Sequence, residues 1–99
     1  MKLVITQPAQ WHLKELHDYY KYKVSQRVAD RIKDGIINKL KFIADHPLVG
    51  QYEPTLATLG LGHRRFVEGN YKIVYRIVDN TIFVTDVFDA RQNPEKMQG

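Results

Sequence analysis

The residues best equipped for chemistry lie close together near the C-terminal third of the chain. His63, Arg65, Lys72 and Arg76 are spaced so that a strand, a two-residue turn and a second strand would bring them onto one surface. Cations held on a rigid sheet can bind phosphates or an acidic peptide. A histidine beside them titrates near neutral pH and can move a proton. The plainer alternative is that Lys72 and Arg76 only keep an exposed sheet face soluble.

That surface depends on register. Gly69-Asn70 and Asp79-Asn80 read as two-residue hairpin turns between strands His63–Glu68, Tyr71–Val78 and Thr81–Phe88. These turns set Glu68 opposite Tyr71, Arg65 opposite Val74 and Val78 opposite Thr81. One face then carries Arg64, Phe66, Tyr71, Ile73, Tyr75, Ile77, Ile82, Val84, Asp86 and Phe88. It is the more apolar face and is expected to pack under helices, with Arg64 and Asp86 pairing near its edge. The other carries His63, Arg65, Val67, Lys72, Val74, Arg76, Val78, Thr81, Phe83, Thr85 and Val87, and is expected to be open and basic.

The elements that must position this meander precede it. Leu3–Ile5 suggests a short strand that adds to the sheet, because an unpaired apolar strand is a liability. Pro8 suits the first turn of a helix over 8–22, in which Ala9, Leu13, Leu16 and Tyr20 recur at helical spacing. Ser25 is a candidate N-cap for a second helix ending at Pro47, with Ala29, Ile32, Ile36, Leu40 and Ile43 on one face. The short link makes the two an antiparallel hairpin. Residues 47–62 hold Pro47, Gly50, Pro54, Gly60 and Gly62 and read as a connecting loop with one turn near Thr55–Leu59. The predicted fold is α+β, ordered β-α-α-β-β-β, with an antiparallel sheet and a helical hairpin packed on one face.

Composition narrows the classes. The 99 residues suit a single domain spanning 1–99. The net charge of +4 makes nucleic acid or an acidic protein a plausible partner. Cysteine is absent, which excludes thiolate chemistry and suits a reducing cytoplasm. The apolar stretch at the N-terminus is too short for a signal peptide, and no window can span a bilayer, so a cytoplasmic protein with no membrane partner is expected. His12 and His17 are five apart, the wrong spacing for one metal on a helix face, and read as surface residues. His46 reads as a helix-end residue. No phosphate-binding glycine loop, serine nucleophile motif or metal-ligand cluster is present, so no cofactor or metal is expected.

The string His63-Arg64-Arg65-Phe66-Val67-Glu68-Gly69-Asn70-Tyr71-Lys72-Ile73-Val74-Tyr75-Arg76-Ile77 resembles the hairpin of the RelE/ParE toxin superfamily. The ending Val87-Phe88-Asp89-Ala90-Arg91-Gln92-Asn93-Pro94 resembles its last strand and the arginine beyond, and the element order matches over nearly the whole chain. The resemblance implies the toxin of a bacterial type II toxin–antitoxin pair, in a hetero-oligomer with a cognate antitoxin whose C-terminal segment folds on binding. It offers two targets. RelE-like members cut mRNA in the ribosomal A site, and His63, Arg65, Lys72 and Arg91 would then be the catalytic set. ParE-like members are associated with inhibition of DNA gyrase. Gln92 stands where a ribonuclease of this type would carry arginine, and no tyrosine or histidine follows Arg91, so the ending is closer to the ParE-like pattern. Arg65, Lys72, Arg76, Phe83 and Arg91 are the expected contacts to target or antitoxin. A non-toxic binding module of the same fold is the third reading.

Overall fold

A computed structural model describes residues 1–99. Strand β1 (Lys2–Ile5) leads into helices α1 (Gln7–Lys23) and α2 (Gln26–Asp45). A two-residue strand β2 (Gln51–Tyr52) and a 3-10 turn (Pro54–Leu59) precede β3 (Arg64–Glu68), β4 (Tyr71–Val78) and β5 (Thr81–Asp89). A last short turn spans Pro94–Lys96. The sheet is ordered β1-β5-β4-β3-β2.

Both helices begin as their sequences dictate. The Thr6 side chain accepts from the Ala9 amide and the Ser25 side chain from the Val28 amide, each satisfying a donor that the first turn leaves free. At the other end of α2, His46 donates its amide to the last turn and its ring lies against Phe42, with 4.6 Å between centroids. The apolar faces of the hairpin meet the sheet in one core. It joins Ala9 and Leu13 of α1, Ile36, Leu40 and Ile43 of α2, and Ile73, Tyr75, Ile82, Val84 and Val87 of the strands. Burial of such side chains contributes about 1.5–3 kcal/mol each.

The turns behave as expected. Gly69 and Asp79 take up positive φ, 58° and 52°, as a tight hairpin with the right-handed strand twist demands. Three features of the sheet differ from expectation. First, β1 runs parallel to β5, with Leu3 beside Ile82 and Ile5 beside Val84, so the sheet is mixed rather than wholly antiparallel. Second, β2 pairs Gln51 with Arg65 and Tyr52 with Arg64 inside what reads as a loop. Two residues are too few to show alternation.

Third, β5 carries a bulge. Tyr75 faces Val84, but Val74 faces Asp86, so Thr85 is an extra residue on that strand. Beyond it every side chain changes face. Val87 enters the main core, while Phe88 packs with Val74, Leu56 and Met97 in a second cluster on the opposite side. Asp86 and Phe88 therefore leave the face to which simple alternation assigns them, and Val87 joins it. The expected Arg64–Asp86 pair does not form. Arg64 instead donates to the carbonyls of Gly50 and Leu48 and lies over the Tyr52 ring.

The second face is also less open than its residues suggest. The Pro54–Leu59 turn covers it from one side and the segment after Asn93 from the other, with Met97 only 7% exposed.

Candidate functional site

The hairpin brings three of the cations and the histidine to the second face, where His63 is enclosed, Arg65 and Lys72 are engaged by Glu53, and Arg76 is half-buried. Arg65 donates from Nη1 to the Tyr52 carbonyl at 2.6 Å and from Nη2 to Gln51 Oε1 at 3.3 Å. The same guanidinium lies 3.5 Å from Glu53 Oε2, and Lys72 Nζ lies 3.4 Å from that oxygen. The Glu53 side chain is 1% exposed, against 24% and 26% for the two cations. One buried carboxylate thus sits between two partly exposed cations. Burial pushes the Glu53 carboxyl up. Hydrogen bonds from Thr55 and the charge and hydrogen bond of Lys72 outweigh it, leaving the group below its ordinary pKa. Glu53 is ionised at neutral pH and cancels much of the field that Arg65 and Lys72 would project.

His63 precedes β3, and its carbonyl accepts from the Glu53 amide at 2.9 Å. Its side chain is 3% exposed, and neither ring nitrogen has a hydrogen-bond partner. Burial, reinforced by the nearby Arg76, holds its pKa below the ordinary 6.5. The ring is a neutral, enclosed group. Arg76 pairs across the sheet with Phe83, and both are half-buried.

Arg91 lies elsewhere. Its guanidinium makes two 2.9 Å hydrogen bonds to the Asp89 carboxylate and a longer one, 3.5 Å, to the Tyr20 hydroxyl. The Tyr71 hydroxyl donates to Tyr20 at 3.1 Å. That hydrogen bond, with the one from Arg91, lowers the Tyr20 pKa. This network lines a cleft of about 770 Å³ between α1 and the end of β5. His63 and Arg65 line a different cavity of about 500 Å³ beneath Tyr52 and Pro54. The two cavities share no lining residue. His63, Arg65 and Lys72 are gathered on one face, and Arg91 is not with them.

Two engaged groups have no signal in the sequence spacing. Glu53 is an acid in a loop rich in proline and glycine. The other is the pair of His12 Nδ1 and Asp86 Oδ1, 2.5 Å apart. Asp86 is fully buried, and its second oxygen accepts the Gln98 amide at 2.8 Å. His12 is therefore a structural partner rather than a free surface residue. His17 likewise bonds Asp30 at 2.7 Å and ties the two helices together. A charged residue inside an apolar strand was the one mark that could have pointed to Asp86.

Fold and site together define a class: small, basic α+β domains in which a helical hairpin packs on a sheet bearing a cationic β-hairpin. A sequence profile of one such family, described as the ParE toxin of the type II toxin-antitoxin system, parDE, matches residues 3–94. The chain belongs to the ParE toxin family. A solved structure described as the chromosomal ParDE TA system from P. aeruginosa is similar in fold, with a TM-score of 0.75 at 16% identity. The match covers 92% of this chain and 97% of that one. No curated protein matches the chain significantly. No helix is long and apolar enough to cross a membrane.

Proposed function

We propose that the chain is the toxin of a ParDE-type pair, neutralised by a cognate antitoxin and acting in the bacterial cytoplasm by inhibiting DNA gyrase. Membership of the ParE family supports the gyrase reading. The observation that carries it against mRNA cleavage is the state of the cationic face. Cutting RNA requires a base to take the 2′-hydroxyl proton and free positive charge to stabilise the phosphorane. Here the only histidine of the group has both ring nitrogens enclosed. Arg65 and Lys72 share the buried Glu53, and Arg91 is bound to Asp89 in a separate cleft.

The residues proposed to contact target or antitoxin are Arg65, Lys72, Arg76, Phe83 and Arg91. Their role in this reading is binding rather than proton transfer. Arg76 and Phe83 combine a charge with an aromatic ring across two paired strands. An antitoxin segment also finds exposed apolar side chains on α1, where Trp11 is 59% and Tyr22 86% exposed.

Controlled expression with separate pulse-labelling of DNA and protein tests the proposal. DNA synthesis should fall first, with transcripts intact and growth restored by the neighbouring antitoxin gene. Immediate arrest of translation with mRNA cut inside stalled ribosomes, suppressed by Arg65→Ala, would instead establish the ribonuclease. Unchanged growth despite soluble expression would point to the non-toxic module.

A further inference from the structure

We propose that the C-terminal segment Pro94–Gln98 is a latch over the second face of the sheet and that His63 is the group that releases it under acid conditions.

The segment is held at few points. Met97 is its one buried side chain, packed with Leu56, Val74 and Phe88. The Gln98 amide donates to Asp86 Oδ2 at 2.8 Å, and the Gln98 carbonyl accepts from Thr85 Oγ1 at 3.0 Å. Asn93 caps the intervening turn through the Glu95 amide, and all the other side chains from Arg91 to Gln98 are exposed. One apolar contact and two hydrogen bonds are a small attachment beside the strands, so this segment is among the first parts to open locally.

Beneath the covering layer lies the molecule's one pair of enclosed side-chain atoms without partners, His63 Nδ1 and Nε2. Gly99 lies beside the ring: a Cβ at this position would stand 3.4 Å from His63 Nε2 and would collide with Leu59 of the 3-10 turn. A buried polar group without a hydrogen bond is costly, and a buried charge far more so. The side-chain charges around the ring do not favour its protonation. Arg76 of β4 opposes it. Glu53, which lines the same cavity, is taken up by Lys72 and by Arg65 of the histidine's own β-hairpin. On β5, Asp86 is turned to His12 and Gln98. The tail contributes Glu95 and Lys96, both exposed, and the cavity's remaining titratable group is the Tyr52 phenol, which accepts from Arg64.

With its folded pKa depressed, His63 takes a proton more readily in the open state than in the closed one. The latch is at full strength above about pH 6.5, the ordinary histidine value, and weakens as the pH falls below it. Opening gives the imidazolium water and uncovers the apolar surface formed by Leu56, Val74 and Phe88.

The chain contains only two methionines, so methyl-labelled methionine gives one signal for Met97 and one for the exposed Met1 as an internal reference. Between pH 8 and pH 5, the Met97 signal should move from its docked position beside Phe88 towards that of a free methionine. The isoleucine methyls of the main core should not move. In His63→Phe the signal should stay docked throughout, and His63→Leu serves equally if the larger ring does not fit. A Met97 signal indifferent to pH in the unaltered protein would overturn the proposal. So would the same midpoint in both forms, or movement of the Leu56 and Leu59 methyls while Met97 stays docked.

Discussion

Glu53 governs the cationic face at the scale of single residues. Glu53→Gln removes the negative charge between Arg65 and Lys72 but keeps the shape. Both cations can reach water, so the loss should be moderate, about 1–2 kcal/mol by urea denaturation at pH 7. Because the folded Glu53 pKa is depressed, its contribution is present above the ordinary carboxylate value and disappears as the pH falls through the folded one. The two proteins should therefore converge in stability once the pH falls below the depressed folded pKa of Glu53. Tyr75 offers a second residue-level test. Its hydroxyl donates to the Pro47 carbonyl and accepts the Gly50 amide, both at 2.8 Å, and a Cβ at Gly50 would stand 2.6 Å from that oxygen. Tyr75→Phe leaves the buried Gly50 amide unsatisfied and should cost about 1–3 kcal/mol. Gly50→Ala should be at least as damaging, since the β3 backbone also blocks the added methyl, and thermal unfolding of the pair would show it.

Local pattern carried most of the information about the elements. The helix hairpin was legible because Ala29, Ile36, Leu40 and Ile43 keep helical spacing, Pro8 suits the first turn of one helix and Ser25 caps the start of the other. The meander was legible because two-residue turns leave little freedom in register. The bulge was not. Thr85 is an ordinary strand residue, and only the identity of its neighbours across the sheet shows that it is extra. From that residue onward alternation misplaces Asp86, Val87 and Phe88. The covering of the second face was hidden for a related reason: Met97 is a lone apolar residue in a polar tail, and no periodicity marks it. The bulge makes a prediction at its own scale. Deleting Thr85 would restore continuous alternation with Val84 still opposite Tyr75 and Asp86 opposite Val74, so Asp86, Val87 and Phe88 keep their present faces and only the contacts of Thr85 itself are lost. Those contacts include the hydrogen bond from the Thr85 hydroxyl to the Gln98 carbonyl, so circular dichroism and thermal unfolding should show a retained cooperative fold with a lowered Tm, and loss of the fold would contradict this account of the bulge.

For the whole molecule, the decisive quantity is how much positive charge remains available to a partner. The sequence shows a net +4 and a cationic hairpin, and the resemblance of that hairpin to RelE/ParE toxins was sufficient to place the scaffold. The candidate site was only half legible. His63, Arg65 and Lys72 do share a face, but the acid between the cations and the cover over the histidine come from distant segments that no local motif announces. In the proposed reading these contacts suit the surface to binding rather than to phosphate chemistry. Arg65→Ala and Lys72→Ala should then weaken association with a partner without any step of RNA cleavage to abolish. The most direct measurement is supercoiling of relaxed plasmid by purified gyrase in the presence of the purified chain. The account predicts loss of supercoiling that rises with the chain's concentration and is reversed by the cognate antitoxin. Full gyrase activity at a large molar excess of folded chain, together with cleavage of mRNA on purified ribosomes, would contradict it.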